Sequence, residues 1–131
     1  MLIGPLAASP VLTVGQNETL AEAARIMWGH HTGSAVIVAQ GQPPGIITER
    51  DLLRAVADGA DVAATKVSDY MTRNAVTITG SWEVVDAARL MIEKGFRHLV
   101  VVNDSGKLTG IVSIRDMVKA LVEERNRTLA G

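Results

Sequence analysis

A repeat at a spacing of 64 residues constrains this chain more than any other feature. Residues 20–27 read LAEAARIM and residues 84–91 read VVDAARLM, so Ala23, Ala24, Arg25 and Met27 recur as Ala87, Ala88, Arg89 and Met91. Thr13-Val14 meets Thr77-Ile78, and SAVIV from Ser34 meets HLVVV from His98, at the same spacing. Further on, GIITERDLL from Gly45 returns as GIVSIRDMV from Gly110, a spacing of 65, with one residue inserted in the turn between. A duplication that keeps its order over most of each half predicts a pseudo-symmetric pair of modules.

Each copy reads in the order β-α-β-β-α. A short extended piece comes first, residues 11–14 or 75–78. An amphipathic helix follows. In the first copy Thr19-x-x-Glu22 is a capping box, and Leu20, Ala23, Ala24, Met27 and Trp28 recur at helical spacing. In the second copy the stripe is Val84, Val85, Ala88, Met91 and Ile92. An unbroken apolar strand, residues 35–38 or 99–102, predicts burial on both faces. The turns QGQPP and NDSGK lead into second strands over 45–48 and 108–113. Second helices follow over 49–57 and from 114 to about 125, and the closing stretch VEERNRTLAG, from Val122, reads as a fraying, solvated helix end. The fold class is therefore α/β (α+β), two pseudo-symmetric β-α-β-β-α repeats packed through their sheets. Residues 1–62 make the first repeat and 63–131 the second. Neither repeat alone is long enough to bury much core. In the connector, Val67, Tyr70 and Met71 predict one or two helical turns docked on the core.

Composition narrows the function. The chain has 131 residues, 47% of them hydrophobic and 21% charged, which is a globular balance. Aromatic residues are only 3%, so the core is aliphatic. A net charge of −1 argues against a nucleic-acid binder. Without cysteine there is no disulfide, thiolate metal site or cysteine nucleophile, and a reducing, cytoplasmic setting is expected. The opening MLIGPLAASP lacks the charged lead of a signal peptide, and no apolar run approaches a membrane span. His30 and His31 are adjacent, so they do not share a helical face, and no carboxylate is placed to complete a metal site. There is no nucleophile–base pair and no phosphate loop of the P-loop or dinucleotide type, so an enzyme is not expected.

Two constellations carry chemistry. The first is Thr48-x-x-Asp51 with its counterpart Ser113-x-x-Asp116. As capping boxes they place a hydroxyl at the N-cap and an acid in the first turn. The box prefers Glu or Gln, and Asp is shorter. The alternative is that each Asp offers acceptor oxygens outward, where two ribose hydroxyls would match them. The second constellation is Arg97-His98 at a strand entrance, Arg being suited to bidentate phosphate contact. Its counterpart is Gly33-Ser34, so the two copies differ in charge. Arg50 and Arg115 sit in first turns, where the helix dipole disfavours a cation. A bound carboxylate or phosphate would offset that, as would an ion pair between subunits.

Taken together, VSDYMTRNAVTI, TLAEAARIM, GFRHLVVVNDSGKLTGIVSIRDM and GIITERDLL resemble the CBS domain, named for cystathionine β-synthase. The resemblance runs from about residue 10 to 122, twice over, as in the tandem pair called a Bateman module. The D-x-M-T signature is intact as Asp69-Tyr70-Met71-Thr72, whereas the first copy has IGPLAASP in that place. The resemblance implies a regulatory, ligand-sensing module that requires no cofactor. It implies an adenine nucleotide (AMP, ADP or ATP) or S-adenosylmethionine held in the cleft between repeats. Ribose falls to Thr48 with Asp51 and to Ser113 with Asp116. Arg97 and His98 face the phosphates of the nucleotide held by Thr48 and Asp51, and Ser34 contacts the same ligand. A homodimer is expected, formed through Met27, Trp28, Met91, Ile92, Met117, Val118 and Leu121, together with an unidentified protein target. The competing reading is a ligand-free dimerisation or protein-interaction scaffold.

Overall fold

The computed structural model describes residues 1–130. It contains α1 (Leu20–Gly29), β1 (Ser34–Ile37), β2 (Gly45–Thr48), α2 (Glu49–Ala57), β3 (Thr77–Thr79), α3 (Val84–Lys94), β4 (His98–Val102), β5 (Leu108–Ser113) and α4 (Ile114–Ala130). Short 3-10 turns span Gly4–Leu6 and Val67–Asp69. The sequence pattern anticipates this order with two differences. Residues 11–14 make only a bridge, Thr13 lying parallel to Val36, rather than a full strand. Helix α4 continues through the segment read as a fraying end.

The chain divides into two compact units that do not follow the two sequence copies. One is Val11–Ala75. The other joins Met1–Pro10 to the chain from Val76 onward. Each copy's lead-in therefore packs with the other copy's strands and helices. In the Val11–Ala75 unit β1 and β2 are antiparallel, and Thr72 bridges to Ile46 with backbone bonds of 3.0 and 2.8 Å. In the other unit β3 runs parallel to β4, β5 is antiparallel to β4, and Ala8 bridges to Ile111. The lead-ins also complete the cores. Ile3 is fully buried with Ile78, Leu99 and Met117, and Val67 is fully buried with Leu20, Ile37 and Ile47. Helix starts are satisfied the same way. Leu20 N–H donates to Thr65 O, and Val84 N–H donates to Met1 O, both at 2.9 Å. These bonds meet donors that a helix leaves without an intrahelical partner.

The inserted residue of the second copy is absorbed beside the strand pairing. β4 and β5 keep Val101 opposite Gly110, and the register then shifts so that Val102 faces Leu108. Ser34 stays opposite Thr48 and His98 opposite Ser113. The bulge preserves the strand ends on which the candidate site stands.

Burial corrects an expectation about the helices. Met27, Met91 and Met117 are core residues, 3%, 1% and 2% exposed, and take no part in an outer face. Trp28, which its spacing puts in the α1 stripe and the dimer reading puts on an outer face, is 82% exposed. A helical stripe wider than the sheet beneath it leaves its margin in solvent. No helix among the described residues is long and apolar enough to cross a membrane.

Gly45 and Gly110 mark the crossing points. A Cβ on Gly45 would lie 2.6 Å from Met71 Cε and 3.0 Å from Thr72 O. One on Gly110 would lie 2.8 Å from Ala7 Cβ and 3.2 Å from Ala8 O. A methionine methyl can swing aside, but an alanine Cβ moves only with its backbone. Gly110→Ala is therefore expected to cost about 1–3 kcal/mol, and Gly45→Ala less. Gly29→Ala, with nothing within 4 Å of its Cβ, should be neutral or slightly stabilising. Urea unfolding midpoints of the three variants check this order.

Candidate functional site

Each unit carries a strand-to-helix corner built on the same plan. In the Val11–Ala75 unit the last residue of β2, Thr48, caps α2 and pairs across the ladder with Ser34. Glu49 N–H donates to Gly33 O at 2.8 Å, closing the corner. In the other unit Ser113 ends β5 opposite His98, and Ile114 N–H donates to Arg97 O at 2.8 Å. Seven candidate residues thus fall into two groups, Ser34, Thr48 and Asp51 in one unit and Arg97, His98, Ser113 and Asp116 in the other.

Both Thr/Ser-x-x-Asp motifs close as reciprocal capping boxes. Thr48 N–H donates to Asp51 Oδ2 at 2.9 Å, and Asp51 N–H donates to Thr48 Oγ1 at 3.4 Å. Ser113 N–H donates to Asp116 Oδ2 at 2.8 Å, and Asp116 N–H donates to Ser113 Oγ at 3.1 Å. The objection that Asp is too short for the box is thereby overturned. The cap residue is still in extended conformation, φ −125° and ψ 165° at Thr48, and this brings its N–H within reach of a short carboxylate. The box engages Oδ2 and leaves Oδ1 outside it.

The polar inventory differs between the corners. Ser34 is 2% exposed, and its Oγ has no hydrogen-bond partner among the described residues. His98 at the matching place is half-buried and Arg97 is exposed. Around Asp51 stands a group that the sequence pattern did not flag. Arg54 Nη2 lies 3.6 Å from Asp51 Oδ1 and donates to Tyr70 O at 3.2 Å. Its guanidinium carbon sits 4.7 Å from the centre of the Tyr70 ring. The Tyr70 hydroxyl donates to Asp58 Oδ2 at 2.9 Å, and this bond, more than burial, raises the phenol above its ordinary pKa. The available signal was the spacing Asp51-x-x-Arg54, one helical turn.

Both copies match the family model for the CBS domain, over residues 3–58 and 67–123. The chain belongs to the CBS domain family. Residues 3–10 belong to the first match yet pack with the second copy's strands, and residues 67–75 show the converse. An uncharacterised 17.7 kDa protein of Acidianus ambivalens is 43% identical over 122 residues, which are 92% of this chain and 73% of that protein. A CBS domain protein of Pyrobaculum aerophilum, solved in complex with AMP, is 31% identical with a TM-score of 0.80, over 88% of this chain and 89% of that one. The CBS domain pair of protein MJ0100, solved with 5′-methylthioadenosine and S-adenosyl-L-methionine, is 27% identical with a TM-score of 0.83, over 92% and 98%. Three further relatives are longer proteins, of which the chain spans 61%, 57% and 39%.

The caps predict modest, coupled stability effects. Thr48→Ala and Asp51→Ala should each cost about 0.5–2 kcal/mol, and the double variant less than the sum, because either change breaks the same box. Ser113→Ala and Asp116→Ala should behave likewise. Thermal unfolding of the two double-mutant cycles measures this, and shows that the single Asp variants stay folded for binding work.

Proposed function

We propose that this CBS pair is a regulatory module that binds an adenosine-containing ligand and passes its occupancy to a protein partner. The observation that carries the reading is the doubled corner, where each Asp is fixed by its cap through one oxygen while the other lies outside the box. A carboxylate oxygen at that place is an acceptor for ribose hydroxyls, in charge-assisted bonds. Ser34 Oγ, buried without a protein partner, is a second group that a ligand would satisfy. Support also comes from the AMP and S-adenosyl-L-methionine complexes of the two similar CBS proteins. The role is sensing rather than catalysis.

On this reading Asp51 and Thr48 hold ribose, Ser34 contacts the same ligand, and Arg97 and His98 serve its phosphate. Asp116 and Ser113 hold ribose in the second place. Calorimetric titration with AMP, adenosine and S-adenosylmethionine tests these roles. Asp51→Ala should weaken AMP and adenosine alike, by roughly ten- to a hundredfold for one charge-assisted bond of about 1.5–3 kcal/mol. Arg97→Ala should weaken AMP and leave adenosine nearly unchanged. Equal losses for both ligands would make Arg97 structural. If wild-type protein binds none of the three, the adenosine reading fails.

The scaffold reading draws on a different observation, the apolar side chains left in solvent on the helices. Ile92 is 77% exposed, and Val118 and Leu121 are 53% and 49% exposed on α4. We propose that such faces are covered in a homodimer, with or without ligand. Light scattering at micromolar concentration should return a dimer mass. Val118→Glu with Leu121→Glu should shift it to the monomer, since two carboxylates would have to be buried without partners.

A further inference from the structure

The connector between the copies is tied to the last turn of α2 and to its C-cap residue. From the last turn, Arg54 reaches back so that the nitrogen approaching Asp51 Oδ1 also donates to Tyr70 O, and the guanidinium lies over the Tyr70 ring. At the C-terminus, Asp58, the C-cap residue of α2, accepts from the Tyr70 hydroxyl. The rest of the connector is docked independently, through buried Val67 and the Thr72–Ile46 backbone bonds. Arg54 and Tyr70 are thus not needed to hold the connector in place, yet they bring it to the one Asp51 oxygen that the cap does not use.

The second copy lacks this arrangement. The repeat puts Lys119 where Arg54 stands, Leu6 where Tyr70 stands and Glu123 where Asp58 stands. A lysine has no planar fork to stack on a ring while donating from its edge, and leucine offers neither ring nor hydroxyl. The difference is confined to one Asp of the two.

We infer that Arg54 is a positioning residue that couples the Asp51 carboxylate to the connector through Tyr70, so that capture of a ligand at Asp51 tightens residues 67–72. The inference rests on the adenosine reading given above. A ribose hydroxyl and the guanidinium both favour Asp51 turned with Oδ1 outward. Ligand capture and connector docking therefore stabilise one arrangement of the same side chain. Linkage then requires each to strengthen the other by the same factor. The Arg54 side chain is 55% exposed and that of Asp51 16%, so solvent screens the pair. The factor expected is about two- to fivefold, that of an exposed pair.

The test combines AMP titration with hydrogen–deuterium exchange of the connector amides, in wild-type protein, Arg54→Gln, Arg54→Lys, Tyr70→Leu and Tyr70→Phe. AMP should slow exchange at Met71 and Thr72 in wild type. Arg54→Gln and Tyr70→Leu should bind AMP about two- to fivefold more weakly and lose the AMP-dependent slowing. Tyr70→Phe keeps the ring under Arg54 and should keep most of it. Arg54→Lys, the mildest change at that position, should fold as wild type and still lose the slowing. A merely structural Arg54 would raise connector exchange equally with and without AMP and leave affinity unchanged, which overturns the inference. So does AMP binding to wild type without slowing, and in that case the adenosine reading stands. If wild type binds neither AMP, adenosine nor S-adenosylmethionine, both fall together.

Discussion

The contact on which the rest depends is a lead-in backbone lying against the bare Cα of a glycine. It occurs at the start or middle of the second hairpin strand in each unit, Thr72 over Gly45 and Ala8 over Gly110. The second strand of each hairpin would otherwise end the ladder with unpaired N–H and C=O groups, a liability in any small sheet. The crossing segment pairs with that edge, inserts Val67 or Ile3 into the core, and supplies a carbonyl to the first amide of α1 or α3. A side chain at the glycine would lift the segment and loosen all three together. The corner that carries Thr48 and Asp51 lies at the far end of the strand that Gly45 begins. Its geometry is only as firm as that pairing.

This exchange of lead-ins explains what the sequence could and could not tell. Periodicity reports which face of an element is buried, and it located β2, α2 and β5 as they occur. It does not report what covers the face. Ile3 and Val67 look like ordinary apolar residues at the edges of the repeat, and nothing in spacing alone assigns each to the opposite copy's core. The first copy has IGPLAASP in place of the D-x-M-T signature, so its motif did not specify the lead-in. The backbone of Ala7 and Ala8 nonetheless runs over Gly110 as Met71 and Thr72 run over Gly45, because the pairing is made by main-chain groups that any residue but proline supplies. Trp28 lies in solvent for the converse reason. Its spacing continues the α1 stripe, but at the end of a ten-residue helix little lies beneath it. Arg54 and Tyr70 are sixteen residues apart and meet only after the connector folds back.

Duplication gives two corners with one backbone plan, and the side chains then make them unequal. Ser34 is matched by His98, Gly33 by Arg97, Arg54 by Lys119 and Tyr70 by Leu6. None of these exchanges alters a ladder bond or a cap, though Ser34 is buried and Leu6 and Tyr70 pack against the cores of their units. The plan tolerates them because the corner is specified by main-chain bonds and by two residue types, a hydroxyl and an aspartate. Charge and hydrogen-bonding capacity can then diverge without a large cost in stability, since exposed substitutions of this kind usually change it by little.

Capping and ligand contact are not rival explanations of the repeated hydroxyl-x-x-Asp. A carboxylate that must be immobilised when a ligand arrives loses side-chain entropy at that moment, a cost set against affinity. Here the cap imposes that order during folding, through Oδ2 and the amide of the preceding strand's last residue. What remains outside the box is an oriented, charged acceptor whose ordering cost has already been met. A Glu in that place would reach the cap amide with an extra methylene to order. The shorter Asp closes the box with fewer rotors and holds its second oxygen more firmly at the end of the strand. The feature that looked like an imperfect cap is thus the version that serves both ends.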